Sequence, residues 1–142
     1  MAIVTKKIKL DTKGDTDIID ITSQVAQGLS KSGLDKGVVT VFVSGSTGGI
    51  TTVEYEPGLV QDLKDFFERI APKKAVYQHD LRWHDGNGYA HVRASLLGPS
   101  MSVPFLEGKL LLGTWQQIIF IDFDNRSRSR ELVVQIIGET KG

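Results

Sequence analysis

The chain contains no cysteine, so disulfide bridges, zinc–thiolate centres and thiol catalysis are excluded. It also carries no net charge, because 17 lysines and arginines balance 17 aspartates and glutamates. No bulk electrostatic field therefore favours nucleic acid or an anionic membrane. No apolar run approaches the length that crosses a bilayer, and the N-terminal residues lack the apolar core of a signal peptide. We expect a cytoplasmic protein with neither a nucleic-acid nor a membrane partner.

What is present is typical of one soluble globular domain spanning residues 1–142, with 40% hydrophobic and 24% charged residues. Alternating or continuous apolar runs predict about eight strands, over residues 2–10, 16–21, 37–44, 50–54, 100–105, 109–112, 116–123 and 130–137. A slip in the alternation of the first strand predicts a bulge. That strand is expected to pair with the second as a hairpin. The run at 37–44 is apolar throughout, which predicts burial on both faces.

Two helices are predicted among these strands. The first begins at Thr22 or Ser23 and ends at Gly33. The second begins at Pro57, carries apolar residues three and four apart as far as Ile70, and is stopped by Pro72. Because most connections between strands are short, antiparallel pairing is favoured. The expected fold is α+β, with an antiparallel β-sandwich-like core and two main helices.

All three histidines, His79, His84 and His91, lie within thirteen residues of a glycine-rich segment. An imidazole in a pocket can transfer a proton or bind a metal ion. His84 is interpreted as a solvated loop residue. His79 and His91 are flanked by residues predicted to form strands, so both an inward and a solvated orientation stay open. Asp80 and Asp85 are placed to orient the rings by hydrogen bonds, but no spacing matches a diagnostic metal motif.

Two further segments suggest anion binding. The loop Ser44–Gly49 lies between strands, so it is not a P-loop; an ordinary hairpin turn is favoured over an anion-binding nest with Ser46 and Thr47. Arginines recur at every second position at Arg126, Arg128 and Arg130, which predicts one face of the last strand. Phosphate recognition, an acid-lined subunit interface and a solvated sheet edge are three open interpretations of that run.

The C-terminal half resembles the YjbQ family, whose members are regarded as secondary thiamine-phosphate synthases. The strings that carry the resemblance are Asn87…His91, ASLLGPS at Ala94–Ser100, Val103-Pro104, EGKLLLGTWQ at Glu107–Gln116 and the arginine run. LGTWQ at Leu112–Gln116 is the most specific of them. The resemblance extends over nearly the whole chain, including ITTVE at Ile50–Glu54 and the helix from Pro57.

The resemblance implies a β-sandwich with two main helices, commonly assembled as a homotrimer. It also implies weak transferase activity, in which a pyrimidine diphosphate is joined to a thiazole phosphate and pyrophosphate is released. The small phosphorylated ligand would contact Ser46, Thr47, Thr114, Arg126 and Arg128. The catalytic residues would be His79, His91, Asp62 and Glu54. A divalent metal, Mg²⁺ on the carboxylates or Zn²⁺ on the two histidines, is a further expectation.

One departure from the family pattern concerns Gly45. Members of the family often carry a His-Thr/Ser-Thr/Ser-Ala string where this chain has Gly45-Ser46-Thr47-Gly48. If that histidine is a base or a metal ligand in the family, this chain lacks one member of the set. A non-catalytic metal- or phosphate-binding protein of the same fold is therefore the alternative, and a structural oligomer is a third possibility.

Overall fold

A computed structural model describes all of residues 1–142. The strands are β1 (Ala2–Thr12), β2 (Asp17–Asp20), β3 (Lys36–Val43), β4 (Gly48–Val53), β5 (Ser100–Leu106), β6 (Lys109–Leu110), β7 (Gln117–Asp122) and β8 (Arg128–Glu139). The helices are α1 (Thr22–Ser32), α2 (Pro57–Ile70), α3 (Gln78–Trp83) and α4 (Gly88–Leu97). None of the four helices has the length and apolar character needed to span a bilayer.

The strands form two sheets, one ordered β1-β8-β3-β5-β6 and the other β2-β7-β4. Every neighbouring pair is antiparallel. The larger apolar cluster contains residues from both sheets and from α1, whereas the smaller joins the three-stranded sheet to α2 and α4. The predicted α+β class with an antiparallel sandwich-like core is confirmed.

The strand buried on both faces is β7. Its residues Ile118 and Phe120 belong to the larger cluster, while Ile119 and Ile121 belong to the cluster under the helices. The prediction that residues 37–44 are buried on both faces is wrong, because β3 buries alternate residues and leaves Phe42 41% exposed. An apolar run alone does not distinguish a middle layer from an outer sheet with an uncovered face.

The predicted hairpin of β1 with β2 does not form. β1 pairs with β8 from Ala2↔Gly138 to Thr12↔Arg128, and β2 pairs with β7 in the other sheet. The β1–β8 register is continuous, so the predicted bulge is absent. The turn Gly14–Thr16 carries the chain from one sheet to the other, with positive φ angles at all three of its residues.

Both predicted helices are confirmed. In α2, Pro57 stands at the first position and the Glu56 carboxylate accepts hydrogen bonds from the backbone N–H groups of Gly58 and Leu59. α1 ends at Gly33, whose φ of 73° is the left-handed conformation that glycine adopts readily.

The strands expected around the histidines are wrong, because α3 and α4 occupy that segment. In α4, Tyr89, Ala90, Arg93 and Ala94 are buried, at the helical spacing that brings residues one turn apart onto one face. α4 begins at Gly88, where a Cβ atom would lie 2.5 Å from Cβ of Tyr77. Glycine here permits the close approach that brings the two histidine-bearing helices together.

Candidate functional site

Helices α3 and α4 bring two of the three histidines into contact. The rings of His79 and His91 have centroids 4.3 Å apart and planes inclined at 48°. The side chain of His79 is 31% exposed, so the pair is half-buried at the surface. His84 ends α3 with a φ of 60° and is exposed, in agreement with its interpretation as a solvated residue.

The orientation of His79 is fixed by Asn87, which precedes α4. Nε2 of His79 lies 3.1 Å from Oδ1 of Asn87, whose Nδ2 donates to Oδ1 of Asp124 at 3.2 Å. Since that amide oxygen can only accept, Nε2 must carry a proton. Oδ1 of Asp85 lies 3.4 Å from the same nitrogen. A chain of polar groups therefore joins a buried carboxylate to the histidine pair, as in sites that orient a catalytic imidazole.

The surroundings of His91 favour its neutral form. Burial lowers the pKa of its imidazole, and the positive charge that His79 can acquire lowers that pKa further; Asp85, Asp124 and Asp80 act weakly in the opposite sense. Neither ring nitrogen of His91 forms a hydrogen bond within the chain. A neutral imidazole with free nitrogens can accept a proton or bind an external group.

Behind the pair lies a buried cluster of opposite charges at the junction of β7 and β8. Arg130 donates to both oxygens of Asp122, from Nε and from Nη2, at 2.8 Å each. Thr12 donates to the same carboxylate at 2.6 Å. Asp122 is fully buried and Arg130 is 5% exposed. Burial by itself raises the pKa of Asp122, but the bonds from Arg130 and Thr12 dominate and hold it below its usual range.

Asp124 links this cluster to the histidines. Its Oδ2 accepts from Nη1 of Arg128 at 2.7 Å and from the hydroxyl of Thr47 at 3.3 Å, and its Oδ1 accepts from Asn87. Burial raises the pKa of Asp124, and bonds from the backbone of Asn125 and from Asn87 outweigh burial and lower that pKa. Asp124 is therefore ionised at neutral pH.

The structure gathers some predicted site residues and separates others. His79, His91, Thr47 and Arg128 belong to the connected network described above. The other predicted site residues are exposed and take no part in this network: Glu54, Asp62, Thr114, Ser46 and Arg126. Their assignment to catalysis or phosphate binding stays a prediction.

The loop Ser44–Gly49 connects β3 in the larger sheet to β4 in the smaller, so it is not a hairpin turn. Gly45 has a φ of 145°, which side-chain-bearing residues rarely adopt, and a Cβ atom there would lie 3.2 Å from Nη1 of Arg130. A histidine at this position would need a different loop conformation. The hydroxyl of Thr47 already bonds Arg130 and Asp124, which leaves Ser44 and Ser46 as the free hydroxyls of the loop.

The sequence reasoning missed Asn87 as a contact, and it missed both Asp122 and Asp124. Asp122 lies inside the strand that the apolar residues predict over 116–123, and Asp124 lies one residue beyond it. The sequence does contain a pattern that points to them. Carboxylates at every second position are followed directly by arginines at every second position, which suggests ion pairs between the two sets. β8 is an interior strand of its sheet, so the solvated-edge interpretation of the arginines is wrong.

No group of three or more histidine, aspartate or glutamate side chains comes together in a way that could hold a metal ion. The histidine pair supplies two nitrogens without a third ligand at suitable geometry. The residues present therefore do not form a metal centre within one chain. The expected divalent metal stays a prediction, and no step below depends on it.

Comparison with known proteins identifies the relatives of the chain. Residues 6–139 match the family model described as UPF0047 protein YjbQ-like. A UPF0047 protein of Methanothermobacter thermautotrophicus is 37% identical over 139 residues, covering 98% of this chain and 95% of that protein. The UPF0047 protein YugU of Bacillus subtilis is 33% identical over 135 residues, covering 94% of this chain and 98% of that protein.

Solved structures show the same fold. A YbjQ-like protein of unknown function from Sulfolobus solfataricus P2 superposes with a TM-score of 0.93 at 34% identity, covering 97% of this chain and 99% of that one. An uncharacterised yjbq/upf0047 protein of Clostridium acetobutylicum gives a TM-score of 0.86 at 38% identity, covering 93% and 99%. The likeness spans essentially the full length of each relative.

Proposed function

Since the chain belongs to the UPF0047 YjbQ-like family, we propose that it is an acid–base catalyst of the thiamine-phosphate synthase type, with the His79–His91 pair as its centre. The reaction joins a pyrimidine diphosphate to a thiazole phosphate and releases pyrophosphate. The single observation that supports this proposal is the oriented pair itself, one ring anchored through Asn87 and the other neutral with both nitrogens free.

The proposed role requires the pair to transfer only one proton. Two imidazoles whose centroids are 4.3 Å apart hold a single proton more readily than two, because their positive charges repel. When one ring is protonated, the pair can donate that proton to an oxygen of pyrophosphate as the bond from that leaving group to the pyrimidine carbon breaks and the thiazole nitrogen bonds to the same carbon. The pair then takes up a proton from water. Positioned acid–base catalysis of this kind contributes about 10²–10⁴-fold in rate.

The pyrophosphate also needs a cation, and the arginine run is mostly unable to supply one. Arg128 is bound by Asp124 and Arg130 by Asp122. Arg126 is exposed and forms no salt bridge, and it follows Asn125, whose side chain donates to the backbone oxygen of Asp85 at 2.9 Å. We therefore assign the phosphate contact to Arg126 rather than to Arg128.

The test is a pyrophosphate-release assay with both substrates on wild type and five variants. We expect His91→Ala and His79→Ala to lose at least about 100-fold in kcat. His84→Asn is the matched control, because asparagine tolerates the left-handed backbone of this residue and the position lies outside the pair. It should leave kcat unchanged. Arg126→Gln should raise KM with little change in kcat, whereas Arg69→Gln, an exposed arginine in α2, should not.

The alternative, a non-catalytic phosphate-binding protein, is favoured by one observation, the glycine at position 45. It predicts that wild type binds the pyrimidine diphosphate in calorimetry but releases no pyrophosphate. If His84→Asn and His91→Ala lose pyrophosphate release or ligand binding to the same extent, both the catalytic and the non-catalytic proposal for the histidine site are refuted. The homotrimer and the cytoplasmic location stay predictions; sedimentation equilibrium tests the trimer directly.

A further inference from the structure

A groove of about 350 Å³ runs between the edge strand β1 and helix α1, and it shares no residue with the histidine site. Four lysines line it, Lys6, Lys7 and Lys9 from the strand and Lys31 from the helix. No aspartate or glutamate is among its lining residues. In a chain with equal numbers of acidic and basic residues, this is a local concentration of one sign of charge.

Three of the four ammonium groups have no carboxylate partner. Lys7 pairs with Glu131 at 3.3 Å. Lys6, Lys9 and Lys31 form no salt bridge, unlike the lysines that pair with acids elsewhere on the surface. The ammonium groups that line one groove repel one another, most strongly at low salt. A bound anion relieves that repulsion.

Lys6 occupies an unusual position on the strand. Its neighbours on the same face, Val4, Ile8 and Leu10, contribute to the larger apolar cluster, and Lys6 is itself half-buried. A charged residue in an inward-facing row protects an edge strand from pairing with another chain. That role accounts for Lys6 alone, but it gives no reason for Lys31 on the facing helix.

The helix wall of the groove is built from one face of α1. Gln24, Gln27 and Lys31 line the groove, while Val25 and Leu29 point into the core. Gly28 lies at the middle of this polar face, although glycine is among the least favourable residues for a helix interior. A Cβ atom there would meet only Lys6, at 3.7 and 3.9 Å, which is ordinary contact. Packing therefore does not require glycine, and the missing side chain leaves the floor of the groove open.

We propose that this groove is a binding site for an oligophosphate, a chain of two or three phosphates that is either free or part of a nucleotide. Lysines from both faces of the edge strand and from the helix line the groove, so an anion whose charge extends along its length can contact more of them than a single phosphate can. The two glutamine amides supply further hydrogen-bond donors. Alternate backbone N–H groups on the free side of β1 also have no strand partner.

The experiment titrates the full chain with inorganic tripolyphosphate and, separately, with ATP, by calorimetry at low and at physiological salt. Each of Lys6→Gln and Lys31→Gln should weaken binding about tenfold. Added salt should weaken binding to the wild type. Lys74→Gln, an exposed lysine outside the groove, changes the net charge equally and should leave the affinity unchanged. Tighter binding of ATP than of tripolyphosphate identifies a nucleotide as the ligand, and equal binding identifies the phosphate chain alone.

Two further measurements make the result decisive. Gly28→Ala should lose affinity while its midpoint of thermal unfolding rises, a combination that misfolding does not produce. Lys6→Gln should release pyrophosphate from the two proposed substrates at the wild-type rate, which separates this site from the proposed catalytic one. Absence of saturable binding, or equal weakening by Lys74→Gln and Lys6→Gln, would overturn the proposal.

Discussion

The buried pair of Asp122 and Arg130 makes the most direct quantitative prediction. The carboxylate accepts four hydrogen bonds, two from Arg130, one from Thr12 and one from the backbone of Asp124. In Asp122→Asn the amide oxygen can accept only two of them, and its NH₂ group faces other donors. Because arginine stays protonated in proteins, Arg130 cannot avoid the loss by becoming neutral.

Removing one partner of a buried pair typically costs about 3–5 kcal/mol, since the other charge is left uncompensated. An unfolding entropy of about 2.1 cal/mol/K per residue gives ~0.3 kcal/mol/K for 142 residues. We therefore expect Asp122→Asn to lower the unfolding midpoint by about 10–17 °C. The exposed pair of Lys7 and Glu131 is the matched control, and Glu131→Gln should cost no more than about 1 kcal/mol.

The assay is urea and thermal unfolding at fixed protein concentration, followed by circular dichroism. A double variant, Asp122→Asn with Arg130→Met, should cost less than the sum of the single changes, because their energies couple. If Asp122→Asn costs the same as Glu131→Gln, the charges are not desolvated and the reasoning fails.

Acid provides an independent check on the same cluster. Asp122 and Asp124 have folded-state pKa values below the unfolded value of about 3.9. Their stabilisation is therefore fully present above about pH 4–5 and is lost as the pH falls through the folded values. Asp122→Asn should flatten this acid-induced loss of stability.

Three further outcomes are expected. By NMR, His91 should titrate below the ordinary pKa of 6.5, so protonation of His91 destabilises the fold as the pH drops through that value. His79→Gln should raise the pKa of His91, because one cause of its depression disappears. An unchanged pKa of His91 would contradict the contact between the two rings. Gly88→Ala should cost more than about 1 kcal/mol in urea unfolding, because its Cβ would lie 2.5 Å from Tyr77, and a neutral effect would mean that the helices are farther apart. Asp15 has a φ of 51°, a backbone conformation that glycine would adopt with less strain. Asp15→Gly should nevertheless destabilise the protein, because it removes the hydrogen bonds that Asp15 accepts from Tyr89 and Lys73. A higher unfolding midpoint would show that the relief of backbone strain outweighs those bonds.

The parts of the fold that could be predicted from the sequence are those for which neighbouring residues determine the structure, such as the ends of the two main helices. Pro57 and the spacing of apolar residues as far as Ile70 give the bounds of α2, and Gly33 gives the end of α1. Pairing partners could not be predicted in the same way. β1 pairs with β8 from Ala2↔Gly138 to Thr12↔Arg128, at opposite ends of the chain, and no pattern within either strand specifies that choice.

The histidine segment shows how a periodicity can be misassigned. The run from His91 to Leu97 contains Val92 and Leu96 among small residues, which suits a strand as well as a helix. The structure leaves both exposed and buries Arg93 and Ala94 instead. The helical spacing is visible only when a buried arginine is counted with the core. Arg93 is buried because it donates to the oxygen of Ala71, to Thr16 and to Glu68.

The charges at the end of β7 and the start of β8 lead to a conclusion that neither strand gives alone. Aspartates at 122 and 124 and arginines at 126, 128 and 130 alternate with other residues, but Asp124 and Arg126 lie in the bend between the two strands, so the three arginines do not share one strand face as the sequence predicts. Two carboxylates neutralise two guanidiniums, and the pairs observed are Asp122 with Arg130 and Asp124 with Arg128. One arginine remains, and it is the exposed one beside Asn125. The arginine run, which suggests phosphate recognition, therefore leaves one guanidinium without a carboxylate partner, and this is why the proposed phosphate contact is assigned to Arg126.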